Sequence, residues 1–164
     1  MKVQEIMTEK VQSCLPDDKV SAIARMMREQ NCGFIPVVTT NNVPVGVITD
    51  RDVCMAVATK LQNAADIDVG ELMSRKIFAC FAEDDITVAL RRMKETKVRR
   101  LPVVNHEGKL KGILSLDDIV LSTTGDGKAD LPVEDVFGTY KSICEPFTAK
   151  KSRSRQNPKA LLVQ

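Results

Sequence analysis

The chain contains no tryptophan, one tyrosine and one histidine, and aromatic residues make up only 4% of its 164 positions. A core without aromatic bulk must be filled by Val, Ile, Leu, Met and Ala, which suits thin sheets covered by short helices. The single His106 leaves histidine-based nucleophilic or metal chemistry almost nothing to work with. Neither a P-loop nor a G-x-G-x-x-G is present, so no catalysis is expected. No hydrophobic run approaches a membrane span. Residues 1–7 have no apolar run behind Lys2 and do not read as a secretory signal. The five cysteines (Cys14, Cys32, Cys54, Cys80, Cys144) are odd in number and never spaced C-x-x-C. This points away from a disulfide framework or a zinc site and toward the reducing cytoplasm.

What is present is ordinary in bulk and uneven in detail. Apolar residues reach 43% and charged residues 28%, close to the averages for globular proteins. The net charge of +2 is unequally placed: from Lys141 onward six basic residues face Glu145 alone, which leaves residues 1–140 mildly acidic. An acidic body with a basic tail does not look like a nucleic-acid-binding fold.

The main signal is internal repetition, which decides the architecture before any local reading does. Shifted by 66 positions, the chain matches itself without a gap from about Val3 to Val53. Val3-x-x-Ile6-Met7-Thr8 falls on Val69-x-x-Leu72-Met73-Ser74, Ile35-Pro36-Val37-Val38 on Leu101-Pro102-Val103-Val104, and Gly46-Val47-Ile48-Thr49 on Gly112-Ile113-Leu114-Ser115. In the first copy Val20, Ile23, Ala24 and Met27 have helical spacing behind Asp17 and Asp18, positioned as caps. Ile86, Ala89, Leu90 and Met93 repeat this behind Asp84 and Asp85. Each helix leads into a hairpin, with strands at 34–39 and 101–105, turns at 40–42 and 106–108, and second strands ending at Thr49 and Ser115. Pro36 and Pro102 cannot donate to a ladder and are expected at a strand start or a sheet edge. Second helices follow over 50–58 and 116–121. Each unit of about fifty residues is too small to bury both faces of its sheet alone, so the copies should pack on each other.

Over residues 1 to about 122 this pattern resembles the CBS domain, and the tandem resembles the paired arrangement known as a Bateman module. The resemblance rests on the I-M-T or L-M-S opening, the h-P-V-V strand and the G-h-h-[ST]-x-x-D closing segment, each present twice and in order. It implies an α/β fold of two β-α-β-β-α repeats packed through their sheets about a pseudo-twofold axis, with two clefts for adenosine-containing ligands. The repeats are expected at 1–60 and 61–122, followed by a linker and amphipathic helix at 123–145 and a basic, disordered tail at 146–164.

The candidate ligand-binding residues lie where a strand hands over to a helix: Thr49, Asp50, Arg51 and Asp52, and Ser115, Asp117 and Asp118. A helix N-terminus suits phosphate, the hydroxyl can donate to a phosphate oxygen, and the carboxylate three residues on can accept from ribose hydroxyls. The same S/T-x-x-acid spacing is also a helix capping box, and both readings stand at this point. Gly46 and Gly112 leave room for a nucleotide against the strand. Arg51 can neutralise phosphate where its counterpart Asp117 would repel it. Arg99 and Arg100, at the positions of Gly33 and Phe34, either supply the cations the second motif lacks or form a solvated patch. Ile35 and Leu101, each before its strand proline (Pro36, Pro102), resemble the family's apolar adenine contacts and equally read as core. Lys10 and Lys76 match across the copies and read as solvated surface; Cys14 and Cys80 match too and read as small buried hydrophobes.

Beyond the repeats, 122–127 reads as a flexible linker, and Pro132 opens a helix with Val133, Val136, Phe137 and Tyr140 on one face, a stripe that needs covering. The reading as a whole is a cytoplasmic, non-catalytic regulatory module that binds an adenine nucleotide (AMP, ADP, ATP, NAD or S-adenosylmethionine). By resemblance it is a homodimer, and it acts on an effector protein in another chain. The rivals are a constitutive interaction module with vestigial clefts, and weak nucleic-acid binding through the tail.

Overall fold

In the computed structural model of the chain, residues 1–60, 62–123 and 131–146 are described. Of the linker expected at 122–127, residues 122–123 instead end a helix and 124–127 lie outside the described residues; of the tail expected at 146–164, residues 147–164 lie outside them too. The first copy supplies helix α1 (Val20–Glu29), strands β1 (Phe34–Val38) and β2 (Pro44–Thr49), and helix α2 (Asp50–Lys60). The second supplies short helix α3 (Val69–Leu72), β3 (Cys80–Phe81), α4 (Ile86–Thr96), β4 (Arg100–Val104), β5 (Leu110–Ser115) and α5 (Leu116–Thr123); helix α6 (Val133–Cys144) follows. β1 and β2 pair antiparallel, and β3, β4 and β5 form a sheet in that order with β3 parallel to β4. The first copy reduces its counterpart of β3 to one residue, Cys14, bridged in parallel to Val37. Asn42 and Gly108, equivalent turn residues, take φ of 62° and 75°, which short polar side chains and glycine tolerate.

The two copies are joined by an exchange of their opening segments. Thr8 pairs with Ile113 on β5, N–H to O at 2.9 Å and back at 3.0 Å, while Ser74 pairs with Val47 on β2 at 2.9 and 3.0 Å. These are the same two bonds seen from the two sides of the twofold, because Thr8 and Ser74, and Val47 and Ile113, are each 66 positions apart. Likewise Val3 N–H donates to Asp84 O, and Val69 N–H to Asp18 O. Each core is therefore completed by the other copy's opening. Val3, Ile6 and Met7 pack with Leu90, Met93, Leu101 and Leu114, and Val69, Leu72 and Met73 with Ile23, Ile35 and Ile48.

This exchange accounts for the prolines and the glycines. Pro102 lies in the middle of the central strand β4, not at a start or edge as the sequence suggested, and Pro36 lies mid-strand in β1. Each faces a residue, Ile113 or Val47, whose own N–H and C=O turn away to Thr8 or Ser74. At such non-hydrogen-bonded positions the hairpin asks nothing of the proline nitrogen. At Gly112 an added Cβ would lie 2.5 Å from the Thr8 carbonyl oxygen, and at Gly46 it would lie 2.6 Å from Met73 Sδ and 3.1 Å from the Ser74 oxygen. The glycines thus admit the exchanged backbone; the room reserved for a nucleotide in the sequence reading is filled by the protein itself.

The helix caps are also redistributed. Asp85 caps α4, accepting from Thr87 N–H, which together with the Thr87 hydroxyl holds its carboxyl below the usual range. Lys19 stands at the equivalent position of α1, so that helix has no side-chain cap; Lys19 instead pairs with Asp68 at 2.5 Å. Asp18 and Asp84 close the preceding turns by accepting from Leu15 and Phe81 N–H at 2.7 and 2.9 Å. Helix α6 packs on α4 and α5. Of its expected stripe only Val136 turns inward, joined by Thr139 and Leu131; Val133, Phe137 and Tyr140 stay exposed. Among the described residues no helix is long and apolar enough to cross a membrane.

The glycine contacts predict an asymmetric response to one added methyl. Gly112→Ala must displace backbone and should cost about 2–3 kcal/mol. Gly46→Ala meets mainly the flexible Met73 side chain and should cost about 1 kcal/mol or less. Urea unfolding midpoints of the two variants measure the difference.

Candidate functional site

The two S/T-x-x-D motifs adopt the same geometry. Thr49 N–H and hydroxyl both donate to Asp52 Oδ2, at 2.9 and 2.7 Å, and Asp52 N–H donates back to Thr49 Oγ1 at 3.3 Å. Ser115 and Asp118 repeat this at 2.8, 2.7 and 3.1 Å. Both are capping boxes at the starts of α2 and α5. In each, Oδ1 makes no hydrogen bond among the described residues, so one carboxylate oxygen of a half-buried aspartate is left to accept from something else.

Two clefts form where the copies meet; Thr49 lines the first, without Asp52, while Ser115 and Asp118 both line the second. The first, about 250 Å³, takes Phe34, Val47 and Thr49 from the first copy and Lys76, Ile77, Phe78, Val98, Arg99, Arg100 and Pro102 from the second. The second, about 320 Å³, takes Thr8, Lys10, Val11, Gln12, Gln30, Cys32 and Phe34 from the first copy, with Arg100, Ile113, Ser115 and Asp118 from the second. Shifted by 66, most of one lining falls on the other: Lys10 on Lys76, Val11 on Ile77, Gln12 on Phe78, Cys32 on Val98 and Ser115 on Thr49. Phe34 and Arg100, themselves equivalent, line both clefts and therefore lie near the twofold.

The substitutions between the copies make the clefts chemically different. The first holds three cations, Lys76, Arg99 and Arg100, beside two phenylalanine rings; Lys76 Nζ sits 5.2 Å from the centre of the Phe78 ring. The second holds Lys10 and Arg100 with the carboxylate of Asp118 and two glutamines. Of the two arginines expected to serve the second motif, Arg100 does line the second cleft with Ser115 and Asp118, and the first as well, whereas Arg99 lines the first. The cause is the twofold packing, which brings the start of β4 against the opposite copy's motif.

The other candidates divide. Pro102 lines the first cleft. Ile35 and Leu101 are fully buried core side chains and line neither cleft, so the core reading describes them; Pro36 is buried beside Ile35. Asp50, Arg51 and Asp117 are exposed on the first turns of α2 and α5 and line neither cleft. Asp50 Oδ1 accepts from Arg51 N–H at 2.8 Å. Cys14 and Cys80 are buried as expected, and burial, reinforced by Asp18 and Asp84 respectively, pushes both thiols up to about 12. Lys10 and Lys76, read from sequence as solvated surface, stand exposed at the cleft walls with no ion pair among the described residues. Their recurrence at one register was the available signal. Phe34, Phe78, Val98, Gln12 and Cys32 carried no such signal, because they differ between the copies.

The caps predict a stability effect independent of any ligand. Asp52→Ala and Asp118→Ala each remove the acceptor of two hydrogen bonds at a helix start and should each cost about 1 kcal/mol. The two losses should add within about 0.5 kcal/mol if the sites are independent, as denaturant unfolding of the single and double variants will measure.

Residues 3–59 and 69–123 each match the CBS domain. An uncharacterised 17.7 kDa protein of Acidianus ambivalens is 33% identical over 145 residues, covering 84% of each chain. An uncharacterised protein of Methanopyrus kandleri is 29% identical over 120 residues, and the chain spans 61% of its length. Among solved structures, CBSX2 in complex with AMP superposes with a TM-score of 0.65 at 29% identity, covering 74% of this chain and 94% of that one. With two family matches in tandem across most of its length, and with the exchange of openings that joins them, the chain belongs to the CBS domain family.

Proposed function

We propose that the chain is a non-catalytic sensor of adenine nucleotides, and that the first cleft is its principal site. The observation that carries this reading is the chemistry of that cleft: Lys76, Arg99 and Arg100 gathered beside Phe34 and Phe78 at the capped start of α2. Aromatic and aliphatic walls suit a base, and clustered cations suit phosphate. The solved complex of CBSX2 with AMP supports the same ligand class. Charge ranks the clefts, since Asp118 opposes an anion in the second. The module works in the cytoplasm as a homodimer, and its output passes to an effector in another chain.

One observation favours a rival. Thr49 and Asp52, and Ser115 and Asp118, already satisfy each other, as they would in a constitutive interaction module whose clefts stay empty.

Thermal unfolding separates the two. A ligand that binds only the native state at a hundred times its dissociation constant adds about 2.7 kcal/mol. AMP, ADP, ATP, NAD and S-adenosylmethionine, each at millimolar concentration, are compared on wild type and on Lys76→Gln with Arg100→Gln. The sensor predicts a raised midpoint with at least one of them in wild type and little or none in the double variant. No shift with any of the five leaves the interaction module as the account. Cys32, in the second cleft, gives a local readout: occupancy there should slow its alkylation by iodoacetamide, whereas binding confined to the first cleft should leave its rate unchanged.

A further inference from the structure

We infer that an anionic ligand in the first cleft loosens the C-terminal turn of α6 through Arg99, which belongs to both. This rests on the first cleft taking an anion, as proposed above.

Residues 97–99 have the cleft on one side and α6 on the other. Arg99 forms part of the cleft wall, yet its guanidinium carbon lies 5.7 Å from the centre of the Tyr140 ring and its Nη2 3.9 Å from Cys144 Sγ. Beside it, Lys97 Nζ reaches Glu145 at 3.7 Å across exposed surface. Arg99 has no carboxylate partner among the described residues, so its hold on α6 consists of one exposed ring contact and one thiol contact. A phosphate offers the guanidinium fork paired, charge-assisted hydrogen bonds, which outrank both. An anion in the cleft therefore draws Arg99 from α6.

The inner face of α6 stays anchored by Val136 and Thr139, which are buried. Its last turn has no fully buried side chain: Ile143 is partly buried against the core, Ser142 Oγ donates to Lys94 O at 3.4 Å and Glu145 meets Lys97, so that turn is the part that loosens. The exposed Val133 and Phe137 lie on the same helix, and a change in its C-terminal turn alters the surface a partner would meet. Linkage makes the effect reciprocal: contacts that hold Arg99 on α6 weaken anion binding by the same factor.

Hydrogen exchange of the full chain, followed by mass spectrometry with and without saturating AMP and, separately, ATP, tests this. Backbone amides of 141–145 should exchange about fivefold faster with ligand, the low end of ordinary coupling. In Arg99→Gln, at a concentration that saturates it, the ligand should leave those amides unchanged. Tyr140→Leu, outside the cleft and conservative in bulk, should tighten ATP binding by a similar factor. A ligand that raises the unfolding midpoint while α6 exchange stays the same or slows overturns this inference and leaves the site reading intact. Failure of both ligands to raise the midpoint overturns the two together.

Discussion

The close approach of each copy's opening segment to the other copy's second strand is the contact on which the rest of the structure depends. Thr8 lies on β5 and Ser74 on β2 through reciprocal backbone hydrogen bonds, with the backbone of Thr8 so close to Gly112 that a Cβ there would clash, and that of Ser74 lying less tightly over Gly46. From that contact follow the shared cores, because Val3 and Met7 are carried into one and Val69 and Met73 into the other. From it also follow the mid-strand prolines, because the residues opposite them direct their backbone groups to the exchanged segment. Neither fifty-residue unit would close its core alone. The pair is the folding unit, and the twofold is a consequence of mutual completion.

The repeat made most of this fold legible before any coordinates. Helix and strand positions came from periodicity present twice, and the observed bounds of β1, β2, β4 and β5 lie within a residue or two of those expected. The exchange was not legible, because self-similarity shows which residues are equivalent and says nothing about which copy each packs on. The same limit explains the prolines, whose positions depend on hydrogen bonds to a segment distant in sequence. Asp17 and Asp18 were misread as caps because acidic residues before a helix can also close the preceding turn. Only Asp85, with Thr87 two residues on, does the capping.

The site was legible where the copies agree and hidden where they differ. Thr49, Asp52, Ser115 and Asp118 stand out because the motif recurs; the capping alternative is the one seen in the structure, and it uses Oδ2 of each aspartate. What distinguishes the clefts lies in unmatched pairs: Phe78 against Gln12, Val98 against Cys32, Arg99 against Gly33. A comparison that rewards identity passes over such positions, although symmetry-related sites can acquire different chemistry only through them. Arg100 and Phe34 are an unmatched pair with the opposite effect. Being equivalent and near the twofold, they meet both clefts, so one change of residue adds a cation to each.

The clefts' position between the copies sets what a ligand can do there. Each wall combines residues of both, so any molecule that fills a cleft contacts both copies, and its binding free energy depends on how they are placed. A ligand shifts an equilibrium only by its difference in affinity for the two states. A cleft inside one copy would need a path to carry that difference elsewhere. A cleft built across the joint, with Arg99 reaching from its wall to α6, places that difference at the contact between the copies and at the end of a helix that Arg99 touches.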